Sequence, residues 1–461
     1  MLTRRDLLKS SAGASLLVTS SPKKVIVAGG GMAGLCCAYE LNRRGHDITV
    51  LEASNRAGGH VKTVREDLPD GLYVDAGAEH FTKPGYDLYW SYVKEFNLPY
   101  MQDHRREHMQ RLVAGRMYSE AELNDPKILA GFGLNQHEID FLKTHPWWQL
   151  RSVYLDKYAE RFTDEYQPFK SGLNELDGIT LNRLLENEHA SSAYIRLTGG
   201  NGSALQSVWH LGVLRRRGVP AWPNQVFRLI GGNSLLPETF AKHLGNRVKL
   251  NSPVMAIRHG DKGVAVEYGS ASARKKIEGD YLVCAMSAVM LRQIPVTPAF
   301  PEPKRWAVAN VPYYSATRPI FLSRTKFWRE NSVGMNVEFG QPALAHVWSM
   351  ADDVNTNRGL IVGTAQPGVR PDQALATFRT HYPSKTDAIE RAMAVDWSKD
   401  PWCLACETTS YKPGELTRFW PTIIQPHGRI HFAGAYCDNL GWGQEAATRS
   451  ANRVAKAIDA A

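Results

Sequence analysis

The sequence predicts a two-lobe α/β fold. A chain of 461 residues exceeds the size at which a single hydrophobic core stops growing, so two lobes are expected. Near the N-terminus, residues 25–28 have the apolar character of a buried strand, 32–44 that of a helix, and 47–51 that of a second strand. This order and spacing are typical of a βαβ unit. A helix-like stretch rich in aromatic residues follows over 86–220, and strand patterns return after it.

Composition narrows the class of protein. The chain has 43% hydrophobic and 22% charged residues, as soluble globular proteins do, and no apolar run long enough to cross a membrane. The net charge of +9 is spread along the chain, and its densest run, 215–217, lacks a nucleic-acid motif, so no nucleic-acid partner is expected. Six cysteines in a chain of this length do not form a disulfide framework. The lone CxxC at 403–406 has no second ligand pair, so no metal site is predicted.

The first residues have the character of an export signal. Arg4 and Arg5 precede a short stretch of small and apolar residues that ends at Val18, which resembles a twin-arginine leader over residues 1–22. This interpretation predicts a folded protein exported to the periplasm. Because no A-x-A-like cleavage site follows, the alternative is a short basic helix or a disordered tail on a cytoplasmic protein.

A glycine-rich turn joins the first strand to the helix. Residues 29–34 read GGGMAG and fit the pattern G-x-G-x-x-G. Gly29 permits the tight turn, Gly31 lets the backbone approach a pyrophosphate, and Gly34 lets the helix pack closely. The start of the helix offers free N–H groups to the phosphates, and Glu52 ends the second strand where a carboxylate accepts ribose hydroxyls. The sequence therefore predicts a Rossmann-like dinucleotide site.

The residues after the second strand extend this motif. The run 51–59 resembles the L-E-A-x-x-R-x-G-G signature of the flavin amine oxidase family, and further matches lie at 231–237, 251–254, 432–434 and 441–442. The resemblance implies flavin adenine dinucleotide (FAD) as the cofactor. It also implies that the start of the C-terminal helix faces the flavin, where its positive dipole end stabilises negative charge. The residues expected to bind FAD are Gly29, Gly31, Met32, Ala33, Gly34, Glu52, Ala53, Arg56, Gly58, Gly59, His60, Val254, Gly434, Ala435, Trp442, Gly443 and Gln444.

The resemblance further implies a catalytic site, and the chain departs from the family pattern there. Trp442 matches one of the two rings that clamp the substrate nitrogen, but the other ring position falls on Glu407. This residue either attracts an ammonium group, or orients the substrate through its carboxylate, or is simply solvated or salt-bridged. The family lysine near flavin N5 is replaced by Arg318, which cannot carry a proton at neutral pH; this favours an electron acceptor other than oxygen. Trp442, Glu407, Arg318 and His80 are the predicted catalytic residues.

Three more positions differ from relatives. His60 stands where the family has a second arginine. Glu79 and His80 stand where amino-acid-oxidising relatives carry an arginine that binds the substrate carboxylate, so an α-amino acid is disfavoured as substrate; these two residues either line the pocket or pair with each other. Cys406 matches a cysteine that bonds covalently to the flavin in some relatives, and the alternative is an inert buried thiol.

Pattern and resemblance together predict an FAD-dependent oxidoreductase. The FAD-binding domain is expected to comprise 23–85, 225–295 and 425–461, and the substrate domain, a mixed sheet with helices, 86–224 and 296–424. The expected reaction is oxidation of a C–N bond of a small amine by hydride transfer to flavin N5, giving an imine that hydrolyses, with oxygen or another acceptor taking the electrons. The alternatives are a desaturase or isomerase of an apolar substrate and a non-catalytic flavin-binding protein. The sequence does not predict the oligomeric state, and a homodimer is one of the alternatives.

Overall fold

The computed structural model describes residues 21–103, 108–220, 225–329, 335–382 and 386–461. The predicted leader lies outside these residues, except for its last two positions. Strands and helices are numbered here in chain order. None of the helices in the described ranges is both long and apolar enough to cross a membrane.

A parallel sheet forms the centre of the cofactor lobe, and the described residues contribute five strands to it in the order β10-β2-β1-β14-β23. The apolar residues of the first strand are fully buried, as expected where both faces of a parallel sheet are covered. The strands come from all three segments assigned to the FAD-binding domain; they are β1 (Lys24–Ala28), β2 (Asp47–Leu51), β10 (Val248–Lys249), β14 (Tyr281–Cys284) and β23 (Ile430–Phe432).

Three helices pack on this sheet and share one apolar core with it: α1 (Met32–Arg43), α9 (Leu235–Leu244) and α14 (Gly443–Ala460). The βαβ unit β1-α1-β2 agrees with the predicted limits to within one residue. The terminal helix begins at Gly443, one of the residues expected to bind FAD. Local sequence signals are strong here because a glycine turn and a short apolar run mark each boundary.

Smaller sheets complete the cofactor lobe. Antiparallel strands flank the parallel sheet, with β15 pairing in parallel to β11, and the sheet orders are β13-β12-β11-β15, β5-β9-β6 and β3-β4. Their limits are β3 (Thr63–Val64), β4 (Val74–Asp75), β5 (Phe81–Thr82), β6 (Tyr100–Asp103), β9 (Val226–Leu229), β11 (Val254–Gly260), β12 (Gly263–Ser270), β13 (Ala273–Gly279) and β15 (Val296–Thr297).

The second lobe is built on a large mixed sheet, for which the described ranges supply seven strands in the order β21-β17-β20-β19-β18-β7-β8. One face packs on helix α12, and the other packs on residues 72–76 of the cofactor lobe. A separate short ladder, β16-β22, borders the cofactor cavity. The strands are β7 (Gln110–Val113), β8 (Arg116–Ser119), β16 (Tyr313–Tyr314), β17 (Thr317–Ser323), β18 (Asn336–Gln341), β19 (Leu344–Met350), β20 (Gly359–Thr364), β21 (Ile389–Asp396) and β22 (Glu407–Thr408).

The remaining helices are mostly short. The prediction of a helix-like stretch over 86–220 is wrong for 100–103, 110–113 and 116–119, which form β6, β7 and β8, because partners far along the chain complete their sheets. The helices are α2 (Asp87–Glu95), α3 (Pro126–Gly131), α4 (Gln136–Leu142), α5 (Ser152–Ala159), α6 (Leu181–Asn187), α7 (Ser192–Thr198), α8 (Ala204–Arg216), α10 (Ala288–Leu291), α11 (Glu302–Asn310), α12 (Pro371–His381) and α13 (Leu416–Phe419).

Candidate cofactor and active site

The glycine turn between β1 and α1 is a close-fitting cradle. Gly29 has a φ of +110°, and a Cβ atom placed there would lie 2.9 Å from the backbone of Ala285. A Cβ atom on Gly34 would lie 1.9 Å from the Gly29 carbonyl oxygen, so the helix could not pack this closely with any larger residue. No side chain caps α1, which leaves the N–H groups of its first turn to the cavity that Met32 and Ala33 line.

Glu52 locks the same turn from the end of β2. Its Oε2 accepts a hydrogen bond from the Gly30 N–H at 2.6 Å, and its Oε1 accepts from the Ser54 N–H at 2.8 Å and the Ser54 hydroxyl at 2.7 Å. The side chain is buried but still reaches the cavity. The predicted carboxylate therefore shapes the nucleotide turn as well as facing the place where a ribose would lie.

One cavity of about 470 Å³ runs along these elements. It extends from the glycine turn and β11 to the ladder β16-β22 and the start of α14. The following predicted residues line it: Gly29, Gly31, Met32, Ala33, Glu52, Ala53, Arg56, Gly58, Gly59, His60, Val254, Cys406, Glu407, Gly434, Ala435, Gly443 and Gln444. The sequence motifs, although separated by up to 415 positions, thus meet around a single elongated volume.

Arg56 and His60 support the loop beside the glycine turn. The Arg56 guanidinium donates to the Gly59 carbonyl at 2.6 Å and to the Val61 carbonyl at 3.2 Å, so it organises the loop in addition to lining the cavity. The His60 ring packs on Trp397 with 4.2 Å between ring centroids. Burial, and after it the nearby Arg318 cation, lower the pKa of His60 to about 4, so its imidazole is neutral at physiological pH.

The first turn of α14 closes the other end of the cavity. Gln444 donates from Nε2 to the His80 carbonyl at 3.1 Å, while its buried Oε1 has no hydrogen-bond partner among the described residues. A buried acceptor of this kind needs a donor, and a bound cofactor could supply one. Together with the glycine cradle and the uncapped α1, this orphaned atom fits an extended flavin dinucleotide.

Trp442 and His80 lie beside the cavity, and their predicted catalytic roles stay predictions. The Trp442 ring stacks on Tyr86, with 5.7 Å between ring centroids. It also lies against Gly85, where a side chain would clash with the ring. Trp442 is therefore beside the cavity and absent from its lining, as is His80, whose Nδ1 faces Glu79 Oε1 at 3.5 Å. Of the two alternatives for Glu79 and His80, the structure shows the mutual pair.

Arg318 also lies off the cavity wall, in strand β17. Its guanidinium donates to Glu79 Oε2 at 3.0 Å and to the hydroxyl of Thr364, and it lies over the ring of Trp348. Burial is the largest single effect and opposes the charge, but Glu79, together with smaller effects of Cys406, Tyr314 and Glu407, raises the pKa of Arg318. The structure thus places Arg318 in a buried ion pair next to the cavity, and its role near the reacting centre stays a prediction.

Glu407 and Cys406 are on the wall at this end. Glu407 lies opposite Tyr314 in the ladder β16-β22, and the Tyr314 hydroxyl donates to Glu407 Oε2 at 3.3 Å. Glu407 is exposed to the open cavity, yet desolvation by the surrounding protein, followed by the like charge of Glu79, raises its pKa, and the Arg318 cation partly offsets this shift. No cation pairs with Glu407 in the part of the chain that the structure describes. Burial also raises the pKa of Cys406 to about 11, so its thiol stays protonated.

Sequence reasoning missed Tyr314, Trp397 and Glu445 at this site. Tyr314 belongs to a two-residue strand, which is too short to leave a periodic signal. Trp397 and Glu445 act through contacts with residues more than 300 positions away, namely His60 for the first and the start of α2 for the second. A local pattern carries no information about such pairs.

Comparison with known proteins gives one consistent result. A family described as flavin containing amine oxidoreductase matches residues 32–459. The L-amino-acid oxidase of Demansia vestigiata is 26% identical over 435 residues, covering 89% of this chain and 82% of that protein. The putative L-amino-acid oxidase YobN of Bacillus subtilis (strain 168) is 24% identical, covering 93% of both.

Solved structures share the fold. Wild-type putrescine oxidase bound to putrescine superposes with a TM-score of 0.78 at 19% identity, covering 95% of this chain and 99% of the other. Cyclohexylamine oxidase from Brevibacterium oxydans IH-35A gives a TM-score of 0.78 at 20% identity with the same coverage. The two-lobe α/β fold predicted from the sequence is confirmed.

Proposed function

Because the chain belongs to the flavin-containing amine oxidoreductase family, we propose that it oxidises the C–N bond of a small amine that carries no carboxylate beside its nitrogen. FAD is the cofactor, and when bound it supplies the acceptor for the two electrons that leave the substrate. The observation that carries the proposal is the Glu407 carboxylate, which lies on the cavity wall without a cationic partner among the described residues.

The dinucleotide is held by groups already in place. The uncapped first turn of α1 presents N–H groups and a positive dipole end to the pyrophosphate. Glu52, near the end of β2, offers its carboxylate to the ribose hydroxyls, and Val254 at the start of β11 offers an apolar surface to the adenine. These residues bind and orient the cofactor and take no part in bond breaking.

Glu407 orients the amine. Its carboxylate accepts N–H groups of the substrate, and the Tyr314 hydroxyl fixes the carboxylate from the opposite strand. A substrate ammonium would supply the cation that Glu407 lacks.

The charge balance disfavours α-amino acids. Arg318 is the nearest cation, but Glu79 pairs with it at 3.0 Å, so the pair is neutral overall. With Glu407 added, the substrate end of the cavity is net negative. A substrate carboxylate would meet repulsion there, or would have to break a buried ion pair that costs several kcal/mol to disrupt, about 3–5.

The test is an anaerobic titration of the holoenzyme with matched pairs of amines and their α-carboxylated counterparts. We expect the amine of each pair to bleach the flavin absorbance and the amino acid to do so far more slowly. Glu407→Gln should abolish the preference, whereas Glu267→Gln, which changes a carboxylate on β12 outside the cavity, should leave it unchanged. Faster bleaching by the amino acids would contradict the substrate class. Product formation from an alkene without bleaching would contradict amine oxidation itself.

A further inference from the structure

Helix α2 begins without a cap of its own. Its N-cap residue, Tyr86, makes no side-chain hydrogen bond to the helix. Instead, Glu445 of α14 reaches across: its Oε1 accepts from the Leu88 N–H at 3.1 Å and its Oε2 from the Tyr89 N–H at 2.9 Å. These are the second and third N–H groups of the helix, the same groups that a capping side chain normally satisfies. Glu445 is completely buried, so no water can replace it.

A second contact joins the same two helices three residues earlier in α14. Trp442, the N-cap residue of α14, stacks on Tyr86 with planes only 20° apart. Gly85 has a φ of +115°, and a Cβ atom there would lie 2.1 Å from Trp442 Cζ3. The start of α14 therefore contacts the start of α2 in two ways, through the hydrogen bonds of Glu445 and through the stacked rings of Trp442 and Tyr86.

The residues between these two contacts, Gly443 and Gln444, line the cofactor cavity. We propose that Glu445 is a positioning residue for the FAD site: by capping α2 from α14, it holds the first turn of α14 in place on the cavity wall. The lock acts through Trp442 and the backbone, since the Glu445 side chain itself does not reach the cavity.

The charges around Glu445 suit this role. Arg217, after the end of α8, lies 3.8 Å from Glu445 Oε1 and donates to Asp87 Oδ2 at 2.8 Å; its other terminal nitrogen lies 3.8 Å from Glu165. The Thr448 hydroxyl lies 3.5 Å from Glu445 Oε2. Burial raises the pKa of Glu445 to about 7, although the two backbone N–H groups and Arg217 favour the charged form.

The experiment measures FAD affinity, which does not depend on which amine is oxidised. The role of Glu445 can therefore hold even if the proposed substrate class is wrong. Apoprotein is titrated with FAD, and binding is followed by quenching of flavin fluorescence. Glu445→Gln keeps the shape but turns an amide NH₂ toward a backbone donor. Losing one capping bond should raise the dissociation constant about fivefold, the equivalent of about 1 kcal/mol. Asp87→Asn removes a carboxylate from the same Arg217 cluster but caps nothing from α14, and should change affinity less than about twofold.

Gly85→Ala perturbs the other contact between the two helices, the packing of the Trp442 ring. It should weaken FAD binding as Glu445→Gln does, and the double variant should bind no more weakly than about the weaker single variant, because both contacts hold the same turn of α14 and loss of either one releases it. Trp442→Phe, a smaller change, serves if Gly85→Ala does not fold. Wild-type FAD affinity in Glu445→Gln would overturn the proposal. So would effects of the two single changes that multiply in the double variant, because this would show two independent contacts.

Discussion

The Glu407→Gln variant tests the proposed amine site most directly. The substitution removes the negative charge from the cavity wall but keeps the size of the side chain and an oxygen that can accept from Tyr314. The substitution breaks no ion pair among the described residues, because Glu407 has none. The free energy of unfolding should therefore stay close to wild type, and the effect should fall on substrate binding.

The expected magnitude follows from the contact that is lost. A hydrogen bond between an amine cation and a carboxylate contributes about 2 kcal/mol, which corresponds to about a 30-fold loss in kcat/KM. Tyr314→Phe removes only a neutral donor to the same carboxylate and should cost about 1 kcal/mol, or about fivefold. Comparing the loss of kcat/KM in the two variants separates the effect of the Glu407 charge from that of the hydrogen bond that orients the carboxylate.

The assay is steady-state turnover of an amine that bleaches the flavin, with an artificial electron acceptor, measured across pH. The pKa of Glu407 is raised, so the carboxylate charge is lost as the pH falls through that raised value. In the wild-type protein, kcat/KM should fall with this titration at low pH, and Glu407→Gln should remove that part of the profile. An unchanged kcat/KM in the variant, with Glu267→Gln as the control, would refute the assignment of Glu407 to the substrate nitrogen.

Four further predictions concern other parts of the chain. Arg318 keeps its charge and cannot carry a proton, so reduced enzyme should react slowly with oxygen; fast reoxidation in a stopped-flow measurement would show that this inference is wrong. The Cys406 thiol, with a pKa of about 11, is a poor nucleophile, so FAD should be released on denaturation, and yellow colour retained by the chain would show a covalent bond. Burial raises the pKa of Asp75 to about 7, so the free energy of unfolding should fall as pH rises from about 4 to 7, and Asp75→Asn should flatten this slope in denaturant titrations at two pH values. Residues 1–22 should export a reporter through the twin-arginine route, and replacement of Arg4 and Arg5 by lysine should retain it in the cytoplasm.

The sequence was sufficient for the cofactor end of the molecule. Gly29, Gly34 and Glu52 lie within 24 positions of one another, and each has a requirement that few residue types meet: a positive φ, a close helix contact, and a carboxylate at a strand end. Such requirements leave a signature in the local sequence. The unit β1-α1-β2 followed from the same short-range signals.

The substrate end could not be predicted in the same way. Arg318 was matched to a family position by strand alignment, but its side chain turns to Glu79, which lies 239 positions earlier. Trp442 was matched by spacing, yet its ring follows the space that Gly85 leaves open. In both cases the direction of the side chain depends on a partner that is distant in the sequence. Packing partners far apart in sequence decide rotamers, and spacing alone does not encode them.

The pairing of Arg318 with Glu79 decides how the likeness to L-amino-acid oxidases applies to this chain. An amino acid brings one cation and one anion, so a site for it needs a carboxylate and a free cation. Here Glu407 supplies the first, but the arginines of the site are engaged: Arg318 pairs with Glu79, and Arg56 donates to backbone carbonyls. A substrate with a single ammonium group satisfies this arrangement without breaking any contact. The charge left unmatched in the site, more than the identity of the relatives, therefore favours a simple amine.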